Sequence, residues 1–179
     1  FNHEAACVDP VSGIVYQTED RDDGLLYRFI PTIPGRLAEG GTLQALVLDG
    51  IADTRNRDGS VSILPGQMVA CHWVTLDNPQ APNDDLRTRG AAAGATLFAR
   101  GEGIWMGEGE LYFTATSGGA ARQGQIFRLP NESVYVYWDT AALQPPADKD
   151  NPTAPFTTSV YDATTLLRFR RLLEAQQLA

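Results

Sequence analysis

The sequence is short of cysteine, has no basic stripe or long apolar run, and shows almost no helical periodicity before residue 160. Each absence removes a class of protein. Cys7 and Cys71 are the only cysteines. They can pair only if the fold brings them together, which spacing does not show, and two buried thiols are the simpler expectation. Fourteen Lys and Arg stand against 22 Asp and Glu, giving a net charge of -8 and a pI near 4.6. A nucleic-acid partner depends on clustered cations, so none is expected. No run of 18 apolar residues exists, so no membrane span is expected. The first residue is Phe1, with no signal-like charged-then-apolar segment, which reads as a processed, trimmed or partial chain. There is no G-x-S-x-G elbow, no H-E-x-x-H, no Walker pattern and no EF-hand spacing.

What is present is a succession of short apolar runs. "GIVYQT" (13–18), "GLLYRFI" (24–30), "TLQALVL" (42–48), "MVACHWVTL" (68–76), "ATLFA" (95–99), "ELYFTAT" (110–116), "GQIFRL" (124–129) and "SVYVYW" (133–138) read as strands. They are rich in β-branched and aromatic residues and are bounded by Gly, Pro, Asp and Asn. The class is all-β. Pro-, Asp- and Asn-rich loops are expected at 49–66, 77–94 and 139–157, long enough to be functional or mobile. Three regions follow: a β domain over 1–138, a Pro/Asp-rich linker over 139–161, and a C-terminal helix over 162–179. Asp162 can cap that helix, whose Leu166, Phe169, Leu172 and Leu173 form one apolar stripe.

An internal repeat organises the β region. Gly13, Tyr16 and Thr18 recur as Gly109, Tyr112 and Thr114, each 96 residues later. "HEA", with Glu4, precedes the first unit; "RGEGIW", with Glu102, precedes the second. Repeated strand-turn-strand units point to a β-propeller, or a fragment of one with about three blades; a sandwich of recurring hairpins is the rival. In a propeller, equivalent side chains of innermost strands converge on the central channel, which would bring Glu4 and Glu102 together.

Two stretches can carry chemistry. "TEDRDDG" (18–24) gathers Glu19, Asp20, Asp22 and Asp23, oxygen donors of the kind a hard cation takes; a solvated acidic turn is the plainer reading. "ARGEGIW" (99–105) sets Arg100 and Glu102 two apart among glycines, where an extended backbone would put both on one face. An arginine fork matches phosphate oxygens, and a carboxylate holds a cation.

Together, "HEAACVDPVSGIVYQTEDRDDGLLYRF", "GGTLQALVL", "ARGEGIW" and "YFTATSGGAARQGQIFRL" resemble the PhoX-type alkaline phosphatases, over roughly residues 2 to 138. The resemblance implies a secreted, propeller-shaped phosphomonoesterase of bacteria, in the periplasm or outside the cell, working with calcium and iron. It implies Glu4 and Glu102 as metal ligands, Glu19 and Asp20 as calcium candidates, and Arg100 with Glu102 as the catalytic pair, Arg100 holding the substrate phosphate. The family's upstream cysteine motif and downstream acidic blades have no counterpart here. The chain is therefore expected to be part of a propeller, or to complete its sheet as an oligomer or with a second chain. A non-catalytic β module binding calcium or a partner protein is the alternative.

Other residues read as structural. His72 alternates with apolar neighbours, and His3 stands near a strand start, where a structural hydrogen bond is more usual than ligation. Tyr16, Tyr27, Tyr112, Phe113 and Trp138 read as core filling, Trp105 as a pocket wall, and "TSGGAARQG" (116–124) as a hairpin turn.

Overall fold

The computed structural model describes residues 1–57, 60–130 and 133–139, the last stretch as backbone. The expected C-terminal helix, its Asp162 cap and nearly all of the 139–161 linker lie outside the described residues.

The fold is all-β. Among the described residues nine antiparallel strands run in chain order: β1 (His3–Val8), β2 (Val15–Glu19), β3 (Leu26–Pro31), β4 (Gly41–Leu48), β5 (Met68–Leu76), β6 (Gly101–Gly107), β7 (Glu110–Ala115), β8 (Gln125–Leu129) and β9 (Ser133–Asp139). The first five form a meander and β6 to β9 a second, with β9 laid against β5, so the spatial order is β1-β2-β3-β4-β5-β9-β8-β7-β6. Antiparallel meanders of this kind are compatible with a propeller fragment. The first strands of the two meanders, β1 and β6, pack against each other.

Seven of the eight apolar runs are strands. The eighth, 95–99, is extended but is held by isolated bridges, Leu97 to Asp53 and Phe98 to Gly24, with Thr96 N–H donating to the Leu46 carbonyl. It threads between three segments where no single partner is long enough for a ladder. β1 and β6 were not legible as strands, because "HEAACV" and "GEGIWMG" carry Ala, Glu and Gly at the expense of strand formers. Their pairing with β2 and β7 supplies what propensity does not.

A short helix, α1 (Leu86–Ala92), also stands in the expected 77–94 loop. Leu86 and Gly90 are its buried residues, and a Cβ at Gly90 would come within 2.5 Å of a Leu25 methyl, so the helix backbone lies directly on that side chain. Seven residues are too few for apolar periodicity to register.

The repeat is carried in the register. Cys7 faces Tyr16 across β1–β2 as Trp105 faces Tyr112 across β6–β7, and Tyr16 faces Arg28 as Tyr112 faces Arg128. The β6–β7 hairpin turns on Glu108 and Gly109, with φ 53° and 79°, a two-residue loop with both positions left-handed. Both first strands carry a register shift at one place, between His3 and Ala6 and between Gly101 and Ile104. Glu4 and Glu102 are therefore the equivalent residues of two matching bulges.

The apolar interior has two parts. The larger centres on Phe98, Phe113 and Phe127, with Leu46, Leu48 and Ile63 around them. The smaller, beneath α1, holds Tyr27, Leu25, Leu43 and Leu86. The 49–66 loop contributes Ile51, Thr54, Asn56 and Ile63 to the interior; the Asn56 amide donates to the Ile63 carbonyl at 2.6 Å and pins the loop.

Candidate functional site

β-bulges re-aim a side chain and are frequent beside active sites. Here two of them bring acidic residues to the junction of β1, β2 and β6. The Thr18 hydroxyl donates to the Glu102 carbonyl at 2.5 Å and ties the end of β2 to the start of β6. A Cβ at Gly101 would lie 3.2 Å from the Glu19 carbonyl, so a bare backbone lets β6 come this close. Gly101, between the arginine and the glutamate, thus serves strand approach.

Arg100 sits at φ +56°, not in extended backbone. Left-handed geometry is uncommon outside glycine and is sustained only when its surroundings enforce it. Three contacts do so. Its N–H donates to the Arg21 carbonyl at 2.8 Å, and its own carbonyl accepts the Thr116 N–H at 2.9 Å and lies 3.3 Å from the Thr116 hydroxyl. The nearness of Arg100 and Glu102 comes from this turn and the bulge after it, not from alternate positions of a straight strand.

The guanidinium meets two carboxylates. Asp20 accepts Nε at 2.8 Å and Nη2 at 3.1 Å, a bidentate pair, and Glu102 Oε1 accepts Nη2 at 3.1 Å. The same Glu102 Oε1 accepts the Thr116 hydroxyl at 2.7 Å. Asp20, then Glu102 and Glu4, hold the Arg100 proton more tightly than usual, so Glu4 shares this electrostatic neighbourhood from its exposed place on β1. The Arg100 side chain is 48% exposed and the Glu102 side chain 34%, which leaves the pair open to a ligand. Residues 80 and 84 positions apart, Asp20 with Arg100 and Thr18 with Glu102, meet here.

Glu19 is different. It is fully buried, and its Oε2 accepts the Tyr27 hydroxyl at 2.7 Å and the Leu25 N–H at 3.3 Å. Oε1 is buried without a hydrogen-bond partner, the nearest cation being Arg87 Nη1 at 3.9 Å. Burial pushes its carboxyl above the usual range, against the opposing pull of the Tyr27 hydroxyl, the Leu25 N–H and Arg87. Tyr27 is driven upward by burial and by Glu19, so its hydroxyl stays a donor.

The rest of the acidic turn is neither a bare solvated run nor a set of converging ligands. Asp22 pairs with Arg57 at 2.5 Å and Arg55 at 3.4 Å, and Asp23 with Arg87 at 3.1 Å. Two arginines of the 49–66 loop thus share Asp22, and one of α1 takes Asp23. Among the described residues no three His, Cys, Asp or Glu side chains converge as an ion site. Glu4, Asp20 and Glu102 are oxygen donors of the kind a hard cation takes, but they do not converge as one set, and Asp20 and Glu102 are engaged by the Arg100 guanidinium.

The residues read as structural fall as follows. His72 is exposed, its Nδ1 2.8 Å from Asp49. His3 is exposed on β1, edge-on to Phe1. Trp105 is 42% exposed, and residues 116–124 join β7 to β8 as expected. Cys7 and Cys71 are thiols and not a disulfide. Thr116 is the site residue the sequence reading missed. Its signal was present: it occupies in the second repeat the place of Asp20 in the first, 96 residues on.

No helix among the described residues is long and apolar enough to cross a membrane. Comparison with curated proteins and with solved structures found no match. A family model, described as alkaline phosphatase PhoX, matches residues 1–157 of the 179, and the chain therefore belongs to the PhoX family of alkaline phosphatases.

Proposed function

We propose that this chain bears the site of a metal-dependent phosphatase that hydrolyses phosphomonoesters. The observation that carries the reading is Arg100, supplied by one repeat and surrounded by carboxylates of both: Asp20 and Glu102 in contact, Glu4 through its field. Three carboxylates against one guanidinium leave a formal charge of -2, which favours a divalent cation over a lone anion. Glu4 and Glu102 would hold the ion, calcium first and iron as a second metal. Asp20, and Glu19 through its orphaned oxygen, are the further calcium candidates. A bound cation supplies positive charge against phosphoryl oxygens and lowers the pKa of water.

Arg100 does the anion binding. With one Nη2 proton on Asp20 and the other on Glu102, the planar group's Nη1 N–H bonds are the donors left for a phosphate, fixed in direction as a lysine's are not. Asp20 already fixes the Nε–Nη2 edge, so the side chain is oriented before substrate arrives, and little rotamer entropy is lost on binding. Glu102 sets the distance between the fork and the cation. Family membership supports a location in the periplasm or outside the cell.

A non-catalytic module binding calcium or a partner protein is the second reading. It is favoured by the lack, among the described residues, of three converging ligands. Hydrolysis of p-nitrophenyl phosphate by the wild type, Glu102→Ala and Arg100→Lys, with and without calcium, separates the two. The phosphatase reading expects calcium-dependent turnover that falls at least ~100-fold in Glu102→Ala. No turnover with any metal, beside calcium stabilisation that survives Glu102→Ala, would establish the second.

A further inference from the structure

We propose that Thr116 is the positioning residue of the Arg100–Glu102 pair, a role that rests on the function proposed for that site. Its hydroxyl donates to Glu102 Oε1 at 2.7 Å while its backbone N–H donates to the Arg100 carbonyl at 2.9 Å. One residue therefore fixes the carboxylate of Glu102 and the left-handed backbone of Arg100 together. The Arg100 Nη2 contact falls on the same Glu102 oxygen. With both donors on Oε1, the carboxylate is held by one oxygen and offers the other, Oε2, to a ligand.

The repeat supports this assignment. Thr116 follows β7 as Asp20 follows β2, and the Asp20 N–H donates to the Asn2 carbonyl at 3.0 Å just as the Thr116 N–H donates to that of Arg100. Asn2 stands two residues before Glu4, as Arg100 stands two before Glu102. Equivalent strand ends thus carry different side chains to different targets. The carboxylate of Asp20 grips the guanidinium, and the hydroxyl of Thr116 grips the carboxylate. The backbone of Glu102 is tied by Thr18, whereas among the described residues Thr116 and Arg100 hold its side chain, and Arg100 is half exposed.

Thr116→Val keeps the shape and the backbone N–H and removes the hydroxyl; Thr116→Ser restores it. Groups that orient a metal ligand typically change metal affinity 10- to 100-fold. Calcium titration calorimetry on the full chain is expected to show affinity about 10-fold weaker in Thr116→Val and recovered in Thr116→Ser. Melting temperatures of both variants monitor folding, which a merely structural role would move without moving calcium affinity in the folded protein. Unchanged affinity in Thr116→Val, or an equal loss in Thr116→Ser, would overturn the proposal. If the wild type binds no calcium, the function proposed above falls, and crystal structures of the two variants decide the positioning role. Glu102 leaving Arg100 in the valine variant alone upholds it, and Glu102 staying in place overturns it.

Discussion

Cys7 shows how a single side chain is set by its surroundings. Burial, then the nearby charge of Asp9, pushes its thiol from 9.0 to about 12. An acid whose pKa rises on folding favours the neutral form, so its stabilising contribution is complete below about pH 9 and is lost as pH climbs towards 12. Thermal melts are therefore expected to fall between pH 9 and 11 in the wild type more steeply than in Cys7→Ala. Equal slopes would show that the thiol is not shielded. The same shift leaves about one thiolate in ten thousand at pH 8, so iodoacetamide should alkylate Cys7 far more slowly than an exposed thiol. At this scale the sequence was partly readable. The chemistry of Arg100 and Glu102 could be named from residue type, but the left-handed backbone at Arg100 could not, because no glycine marks it and the contacts enforcing it come from Arg21 and Thr116. Likewise Glu19 and Asp20, neighbours in one acidic run, differ in burial, Glu19 being fully enclosed and Asp20 partly exposed. Which of them entered the interior depended on Tyr27 and Leu25 offering donors there.

Among the elements, the 19–24 turn matters most to the site, since it delivers Asp20 to Arg100. Gly24 closes it. A Cβ there would stand 2.5 Å from the Glu19 carbonyl and 3.0 Å from that of Arg21, both backbone atoms that cannot swing aside. The Gly24 N–H also donates to Arg21, and its carbonyl accepts the Phe98 N–H at 2.8 Å. Gly24→Ala must open the turn, at a cost of about 1–3 kcal/mol. Urea unfolding is expected to show that loss, together with weaker binding of inorganic phosphate as Asp20 moves away from Arg100. A variant as stable as the wild type would mean the turn relaxes freely. The elements read correctly were those whose side chains fill the interior, such as β5 and β8. Those missed, β1, β6 and α1, are rich in small and polar residues, with the large apolar side chains of β6 confined to Ile104, Trp105 and Met106, and owe their form to neighbours. The site sits on two of these three, because a strand that must bend, bulge and admit a second backbone cannot also carry a strong strand pattern.

For the molecule as a whole, the duplicated strand-turn-strand unit was the most legible feature, and matching registers and bulges bear it out. What joins the units was hidden, since the joining segment, 95–99, forms no ladder and looks like an ordinary strand. Phe98 is its centre. The ring lies edge-on to Phe113 and Phe127, each 5.1 Å away, while those two stack on each other at 5.0 Å; its backbone holds Gly24 of the first repeat. One buried residue therefore touches the β7–β8 core with its side chain and the acidic turn with its main chain. Removing the ring leaves a cavity between the aromatic pair and the first meander, so Phe98→Ala is expected to lose about 3–5 kcal/mol. Phe98→Leu, which keeps much of the volume, should lose less. Because the contact spans both repeats, unfolding followed by circular dichroism and by tryptophan fluorescence should shift together in each variant. Separate transitions, or a loss under about 1 kcal/mol in Phe98→Ala, would mean that the repeats are stabilised independently and that the site between them does not depend on the Phe98 contact.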